Sequence, residues 1–240
     1  MKKYFHITIL EWVILIAALA ILFIYLLGQW FYPDLNTFCK KNKEVKWTCP
    51  EKFYEKAENG DILLLTGDTS GEKTCKWFSG SPFSHVGILF WDKATPKDKN
   101  KELFILDCDL GQGERQGVRR MKVKDKLSKY KGRNIAVLKK LEVESRPSTE
   151  EINKVYEKYK SIKFDNLIMT WWFAEWNWIY YIWKSETRMF CSELVGSVYQ
   201  DLGLVKKDRY PAWYCPGDFY TEEVILSNGE WGDALFFKFK

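Results

Sequence analysis

The chain has 240 residues, of which 46% are hydrophobic and 29% are charged, and its formal net charge is +5. This composition is typical of one main globular domain with a short appendage. The lysines are dispersed rather than clustered, so the sequence predicts no nucleic-acid partner. Six cysteines without a CxxC pair predict neither a disulfide scaffold nor a metal site, and we expect no cofactor.

The N-terminal segment is the most apolar part of the chain. Residues 7–27 are apolar except for Thr8 and Glu11. Because a helix needs ~20 apolar residues to cross a bilayer, we predict an N-terminal transmembrane helix within residues 1–28. This predicts a membrane partner and a single-pass membrane localisation, with the side of the membrane left open. A cleaved signal peptide is the alternative, but the residues that follow the run form a poor cleavage site.

Residues 29–49 are predicted as a lysine-rich linker, in which Cys39 and Cys49 would pair if the domain faces an oxidising compartment. The folded domain is predicted over residues 50–240. Apolar runs bounded by turn residues predict its strands, and residues 93–101 are predicted to connect two of them as a hairpin. The predicted strands cover residues 61–66, 85–91, 103–108 and 134–141.

Two helices are predicted in the second half of the chain. A capping box at residues 147–151 precedes one apolar helical face, formed by Ile152, Val155, Tyr156 and Tyr159. The second helix covers residues 191–202 and ends at Gly203. Its buried stripe is predicted to be Leu194, Val195, Val198, Tyr199 and Leu202.

Cys191 would be the first residue of that second helix. The unpaired N–H groups and the dipole at a helix N-terminus favour an anion, and a thiolate is a nucleophile. The chain has two histidines, and His6 adjoins the apolar N-terminal run, so a base for this thiol would be His85. The alternative is that Cys191 is a small buried core residue, and that His85 is structural.

A third residue would have to orient the imidazole of His85. Asp107 lies within the predicted strand 103–108, where an apolar residue would be ordinary, so it is the candidate for this role. Glu102, Asp109 and Glu114 are alternatives. Asp165 and Glu193 are interpreted either as groups that support the site or as solvated acids.

The segments GDILLL, SPFSHVGILFW and LFILDC, followed by KFDN, RMFCSELVGSVYQDLGL and CPGDFY, resemble the permuted papain-like amidases of the NlpC-related superfamily, of the YiiX type. The resemblance covers residues 58–220. It implies an α+β, circularly permuted papain-like domain in which a small antiparallel sheet packs against helices. It also implies catalytic roles for Cys191 as the nucleophile, His85 as the base and Asp107 as the third residue.

This chain departs from the family pattern at two positions. The third catalytic residue is often Glu in the family, and the aromatic residue before Asp165 is often Tyr where this chain has Phe164. The dense aromatic stretch at residues 171–183 has no counterpart in the family pattern. It is interpreted either as core packing or as an interfacial or acyl-chain contact.

The sequence therefore predicts a membrane-anchored cysteine hydrolase that acts through a thioester. Its substrate would bear an amide or an ester. The resemblance implies either a peptide or a lipid substrate, because related permuted enzymes include both cell-wall amidases and lecithin:retinol acyltransferase. Transfer to an acceptor other than water stays open. The rival hypothesis is a catalytically inactive, membrane-tethered binding module on the same fold.

Overall fold

The computed structural model of the chain describes residues 9–41, 45–92, 102–110, 116–130, 135–165 and 187–239. Within these ranges, seven strands form one mixed sheet and two further strands form a separate parallel pair. The strands of the sheet are β1 (Lys46–Trp47), β2 (Ile62–Leu65), β3 (His85–Trp91), β4 (Leu103–Asp109), β5 (Gly117–Lys122), β6 (Ile135–Glu142) and β9 (Glu230–Lys238); the pair is β7 (Lys163–Phe164) and β8 (Arg188–Met189).

The sheet has the strand order β1-β9-β6-β2-β3-β4-β5, and its neighbours are antiparallel except for β1 and β9. Helices cover both of its faces. The helices of the described residues are α1 (Ile9–Trp30), α2 (Leu35–Lys41), α3 (Pro50–Lys56), α4 (Ser70–Ser79), α5 (Val123–Lys129), α6 (Thr149–Tyr159), α7 (Cys191–Asp201) and α8 (Asp218–Thr221), with a 3₁₀ turn at Pro211–Trp213.

The central strand β2 is buried on both of its faces. Side chains alternate between the two faces of a strand. Ile62 and Leu64 belong to the core on the side of α6 and α7, whereas Leu63 and Leu65 belong to the core on the side of α3 and α5. A strand that is covered on both faces has no polar alternation, and this is the reason for its continuous apolar sequence.

Both predicted helices are confirmed, together with the signals that bound them. At the start of α6, Glu151 N donates to Ser148 Oγ at 3.2 Å and Ser148 N donates to Glu151 Oε2 at 2.8 Å, which is a capping box. After α7, Gly203 adopts a left-handed conformation with φ of 71°. Glycine adopts this conformation without steric cost, so it ends the helix.

The sheet differs from the small antiparallel sheet that the resemblance implied. The chain is α+β, but its sheet is mixed, because β1 lies parallel to β9. β1 and α2 both lie in the stretch predicted as a linker, and Leu35 of α2 is fully buried. Cys39 and Cys49 are both free thiols. The predicted hairpin connection at residues 93–101 lies outside the described residues, and the boundary at residue 50 stays a prediction.

The prediction of an N-terminal transmembrane helix, and with it a single-pass membrane localisation, is wrong. Among the described residues, none of the helices combines the length and the apolar character needed to cross a bilayer. Helix α1 has 22 residues, but Glu11 interrupts its first turn and Gly28-Gln29 lie near its end. The uninterrupted apolar stretch from Trp12 to Leu27 spans about 24 Å at 1.5 Å per residue, less than the ~30 Å of a hydrocarbon core.

Candidate active site

The three residues predicted for catalysis lie together at one end of the sheet. His85 is the first residue of β3, and Asp107 lies near the end of the antiparallel neighbour β4. His85 Nε2 lies 2.9 Å from Asp107 Oδ2. Cys191 is the first residue of α7, and its thiol lies close enough to the same ring to raise the pKa of His85. The fold therefore places the imidazole in contact with a carboxylate and near a thiol.

The turn before β3 fixes the position of His85. Ser84 N donates to Leu65 O at 3.0 Å, and Gly67 N donates to Ser84 Oγ at 2.8 Å. Leu65 also pairs with His85 across β2 and β3. Because these bonds hold the backbone on both sides of the ring, the buried imidazole has a defined direction.

Asp107 is fully buried in the interior of β4. Burial opposes its ionised form, but the Lys126 ammonium and the hydrogen bond with His85 hold the pKa of this carboxyl well below its usual range. The ionised carboxylate can accept the N–H at Nε2 of His85. Nδ1 is then the nitrogen that can exchange a proton with the thiol.

Cys191 lies at a helix N-terminus that favours negative charge. The N-cap residue is Phe190, whose side chain offers no acceptor to the first-turn N–H groups of α7. Phe190 N itself donates to Glu193 Oε2 at 3.4 Å. The N–H groups at the start of α7, together with the helix dipole, can therefore stabilise a thiolate or an oxyanion beside Cys191.

The environment of His85 favours its protonated form. Burial and the charge of Lys126 both lower the pKa of His85, but Cys191 and the hydrogen bonds with Asp107 and Cys191 outweigh them. The net effect raises this pKa from 6.5 to about 9. A thiolate beside an imidazolium is the charge arrangement that such a shift supports.

Two other thiols are near enough to be influenced by Cys191, but they differ from it chemically. Burial raises the pKa of Cys75 and of Cys108 far above the usual value for a thiol, and the charge of Cys191 raises it further. The Cys108 thiol also donates to Met189 O at 3.3 Å. Both stay neutral at physiological pH, so they serve as internal references for the reactivity of Cys191.

Two charged residues of the site, Lys126 and Arg119, were not predicted in any catalytic role. Lys126 Nζ lies 2.5 Å from Asp107 Oδ2 and 2.6 Å from Asp109 Oδ2. Arg119 contacts the same two carboxylates, with Nε 3.3 Å from Asp107 Oδ1 and Nη2 2.6 Å from Asp109 Oδ2. The signal for Lys126 is its place among Val123 and Leu127 on the buried stripe of α5, where a lysine is unusual.

The alternative acids lie elsewhere or have other partners. Asp109 binds Lys126 and Arg119, and Glu102 forms an exposed ion pair with Lys122. Asp165 is buried, and its N–H donates to Met189 O at 3.0 Å. Glu114 and the aromatic stretch at residues 171–183 lie outside the described residues.

A metal ion would have to compete with a cation that the chain itself supplies. His85, Asp107 and Asp109 present donor atoms within 4.8 Å of one another, which is a spacing that a metal could use. The Lys126 ammonium lies among these atoms and contacts all three side chains, at 3.1 Å from His85 Nε2 and at the shorter distances given above. This donor set therefore does not fit a metal ion, because an ammonium already neutralises it.

Comparisons with known proteins gave likenesses among solved structures. No family model matches the sequence, and no curated protein matches it. The crystal structure of metalloprotein yiiX from Escherichia coli O157:H7, DUF1105, is similar with a TM-score of 0.40 and 20% identity, over 73% of this chain and 88% of that one. A likeness at this level carries no argument about chemistry, which depends on the site itself.

Proposed function

We propose that the chain is a cysteine hydrolase that cleaves an amide or an ester through a thioester at Cys191. One observation carries the proposal: the His85 ring contacts an ionised, fully buried carboxylate, and a thiol at a helix N-terminus interacts with the same ring electrostatically. A thiolate nucleophile, a base and a group that orients the base are the parts that acyl transfer to sulfur needs. The resemblance of the sequence to permuted papain-like amidases agrees with this assignment.

In the acylation step, the Cys191 thiol gives its proton to Nδ1 of His85, and the thiolate attacks the carbonyl carbon. A C–S bond forms, and the carbonyl oxygen becomes an oxyanion that the N–H groups at the start of α7 can stabilise. The bond to the leaving amine or alcohol then breaks. His85 gives the proton to that leaving group, so the ring ends the step neutral.

In the second step, an acceptor resolves the thioester. His85 takes a proton from water, the hydroxyl oxygen attacks the thioester carbonyl, and the C–S bond breaks. The thiolate recovers the proton from the imidazolium, and the carboxylic acid is released. An alcohol or an amine in place of water would give acyl transfer by the same proton movements.

Selective alkylation of Cys191 tests the proposal without knowledge of the substrate. The full chain is treated with iodoacetamide at pH 7, and the labelling rate of each cysteine is followed by mass spectrometry. We expect Cys191 to react at least about tenfold faster than Cys75 and Cys108, because thiolates react with iodoacetamide and neutral thiols do not.

The control for this experiment is His85→Gln, which removes the imidazolium partner. We expect it to slow the labelling of Cys191 and to leave the other two rates unchanged. If Cys191 in the wild-type chain labels no faster than Cys75 and Cys108, the hydrolase proposal is lost, and a non-catalytic binding module becomes the better hypothesis.

A further inference from the structure

Lys126 is the buried cation nearest to the candidate base. Its side chain is 3% exposed. Nζ lies 3.1 Å from His85 Nε2, next to its contacts with the carboxylates of Asp107 and Asp109. The same helix carries exposed lysines at positions 124 and 129, so the burial of Lys126 is specific to its position.

The two carboxylates keep this lysine charged. Burial opposes the ammonium form, but Asp107 and Asp109 outweigh it, and the pKa of Lys126 lies above its ordinary value. An ammonium has three N–H donors and no acceptor. Two of the donors are directed at carboxylate oxygens, which hold the charge beside the ring.

The charges around His85 come from every element that packs against the ring. Negative charge comes from two carboxylates and from the thiol when it ionises, whereas positive charge comes from one ammonium and one guanidinium. These groups are Asp107 and Asp109 on β4, Arg119 on β5, Lys126 on α5 and Cys191 on α7. Tyr130, which follows α5, has its ring centroid 6.4 Å from that of His85. The Tyr130 hydroxyl donates a hydrogen bond to the carboxylate of Glu72 on α4.

This arrangement creates a problem for proton transfer that a fixed cation solves. The buried carboxylate of Asp107, the partly buried carboxylate of Asp109 and a thiolate would stabilise an imidazolium strongly. An imidazolium that is too stable does not give its proton to a leaving group. Arg119 contacts both carboxylates, but the contact with the ring itself comes from Lys126.

We propose that Lys126 is a positioning residue of this site, whose ammonium balances the carboxylates around His85 so that the imidazole can release the proton that it takes from Cys191. The inference rests on the proposed function for its role in turnover. The effect of the Lys126 cation on the pKa of His85 can be measured without substrate.

The test is an NMR titration of His85. The chain has two histidines, so two imidazole signals are expected, and His6→Gln assigns them. The titration is made on the full chain in a Cys191→Ala background, where no thiolate contributes. We expect Lys126→Met to raise the apparent pKa of His85 by about one unit or more, because removal of a nearby cation favours the protonated ring.

Two matched variants separate charge from packing. Lys126→Arg keeps the charge and should leave the His85 titration within a few tenths of a unit of the parent. Lys129→Met removes an exposed lysine from the same helix and should not move it. An unchanged or lowered pKa of His85 in folded Lys126→Met would overturn the proposal.

A second pair of variants covers the case in which Lys126→Met does not fold. With Asp109→Asn as the parent, the additional change Lys126→Met removes the cation without leaving Asp109 uncompensated. The double variant should still titrate at a higher pH than Asp109→Asn alone, and equal values would contradict the role of Lys126. Neither result depends on turnover, whereas slow alkylation of Cys191 would count against the hydrolase and not against this charge balance.

Discussion

Asp61 and Asp107 are both fully buried carboxylates, and each contacts a lysine and an arginine. They differ in what else they touch. Asp61 accepts backbone N–H bonds from Glu58 and Leu141, both at 2.9 Å, in addition to Lys140 and Arg146. Asp107 contacts the ring of His85, whose pKa is also influenced by the thiol of Cys191.

The comparison shows what burial and ion pairing can and cannot identify. The bonds of Asp61 join the start of β2 to the end of β6, so its charge stabilises a connection in the fold. Asp107 also contacts a lysine and an arginine, but it faces a group that can gain and lose a proton. The titratable partner, rather than the buried acid, distinguishes the candidate active site from the structural network.

The largest expected effect is the loss of hydrolysis when the nucleophile next to the His85–Asp107 pair is removed. We expect Cys191→Ala to lower the rate of hydrolysis of an acyl p-nitrophenyl ester at least about a thousandfold, because no thioester can form. Cys191→Ser should be as inactive, since a hydroxyl is not ionised by the same surroundings. Cys75→Ala is the matched control and should keep the wild-type rate. An alanine variant at position 191 with the wild-type rate would refute the assignment.

The second prediction concerns the other half of the comparison. Asp61→Asn should lower the free energy of unfolding by about 3 kcal/mol, because the change leaves Lys140 and Arg146 without their buried counter-charge. Urea unfolding measures this loss. Ester hydrolysis per folded molecule should stay within about twofold of the wild type, since Asp61 does not touch the site. A large loss of activity without a loss of stability would erase the distinction drawn here.

The contact between His85 and Asp107 could be predicted because each signal is local. A histidine that opens a strand after a turn, and an acid in the interior of the next strand, lie near one another once β3 and β4 pair. Cys191 could be placed at a helix start for a similar reason, from the stripe of apolar residues that follows it.

Other parts of the molecule depend on long-range pairing that the sequence does not reveal. β9 pairs with β6 and with β1, both of which are far from it in the sequence. The local sequence of these strands does not reveal which residues pair. Lys126 lies between Val123 and Leu127, which is a local signal of burial, but the carboxylates that it contacts come from another strand. The apolar run at the N-terminus predicts a helix long enough to cross a bilayer although Glu11 lies within it, and its uninterrupted part is shorter than a hydrocarbon core.

The third prediction tests the role of Asp107 against its neighbour. Asp107→Asn should lower the rate of ester hydrolysis about a hundredfold, because an amide can stabilise the wrong tautomer of His85 and no longer stabilises the imidazolium. Asp107→Glu keeps the charge and should be milder. Asp109→Asn, which leaves the contact between His85 and Asp107 in place, should cost less than Asp107→Asn. The reverse order would assign the orienting role to Asp109.

The smallest expected effect is the acid dependence of stability at this site. Burial opposes the ionised form of Asp109, but the charges of His85 and Lys126 lower its pKa from 3.8 to about 2. A carboxyl whose pKa is depressed in the folded state stabilises the fold above its unfolded pKa, and this stability is lost as the pH falls through the folded value. The free energy of unfolding should therefore fall between pH 4 and pH 2 by about 2 kcal/mol more in the wild type than in Asp109→Asn.

Urea unfolding at pH 4, 3 and 2 measures this difference, and Glu102→Gln is the control. Glu102 belongs to an exposed ion pair with Lys122, and such a pair contributes little to stability. If the acid dependence is the same in Asp109→Asn and in the wild type, Asp109 is not held ionised by the cations around it. The groups that hold a carboxylate ionised near His85 would then act on Asp107 alone. The region around His85 would be closer to the structural network of Asp61 than its short ion-pair distances suggest.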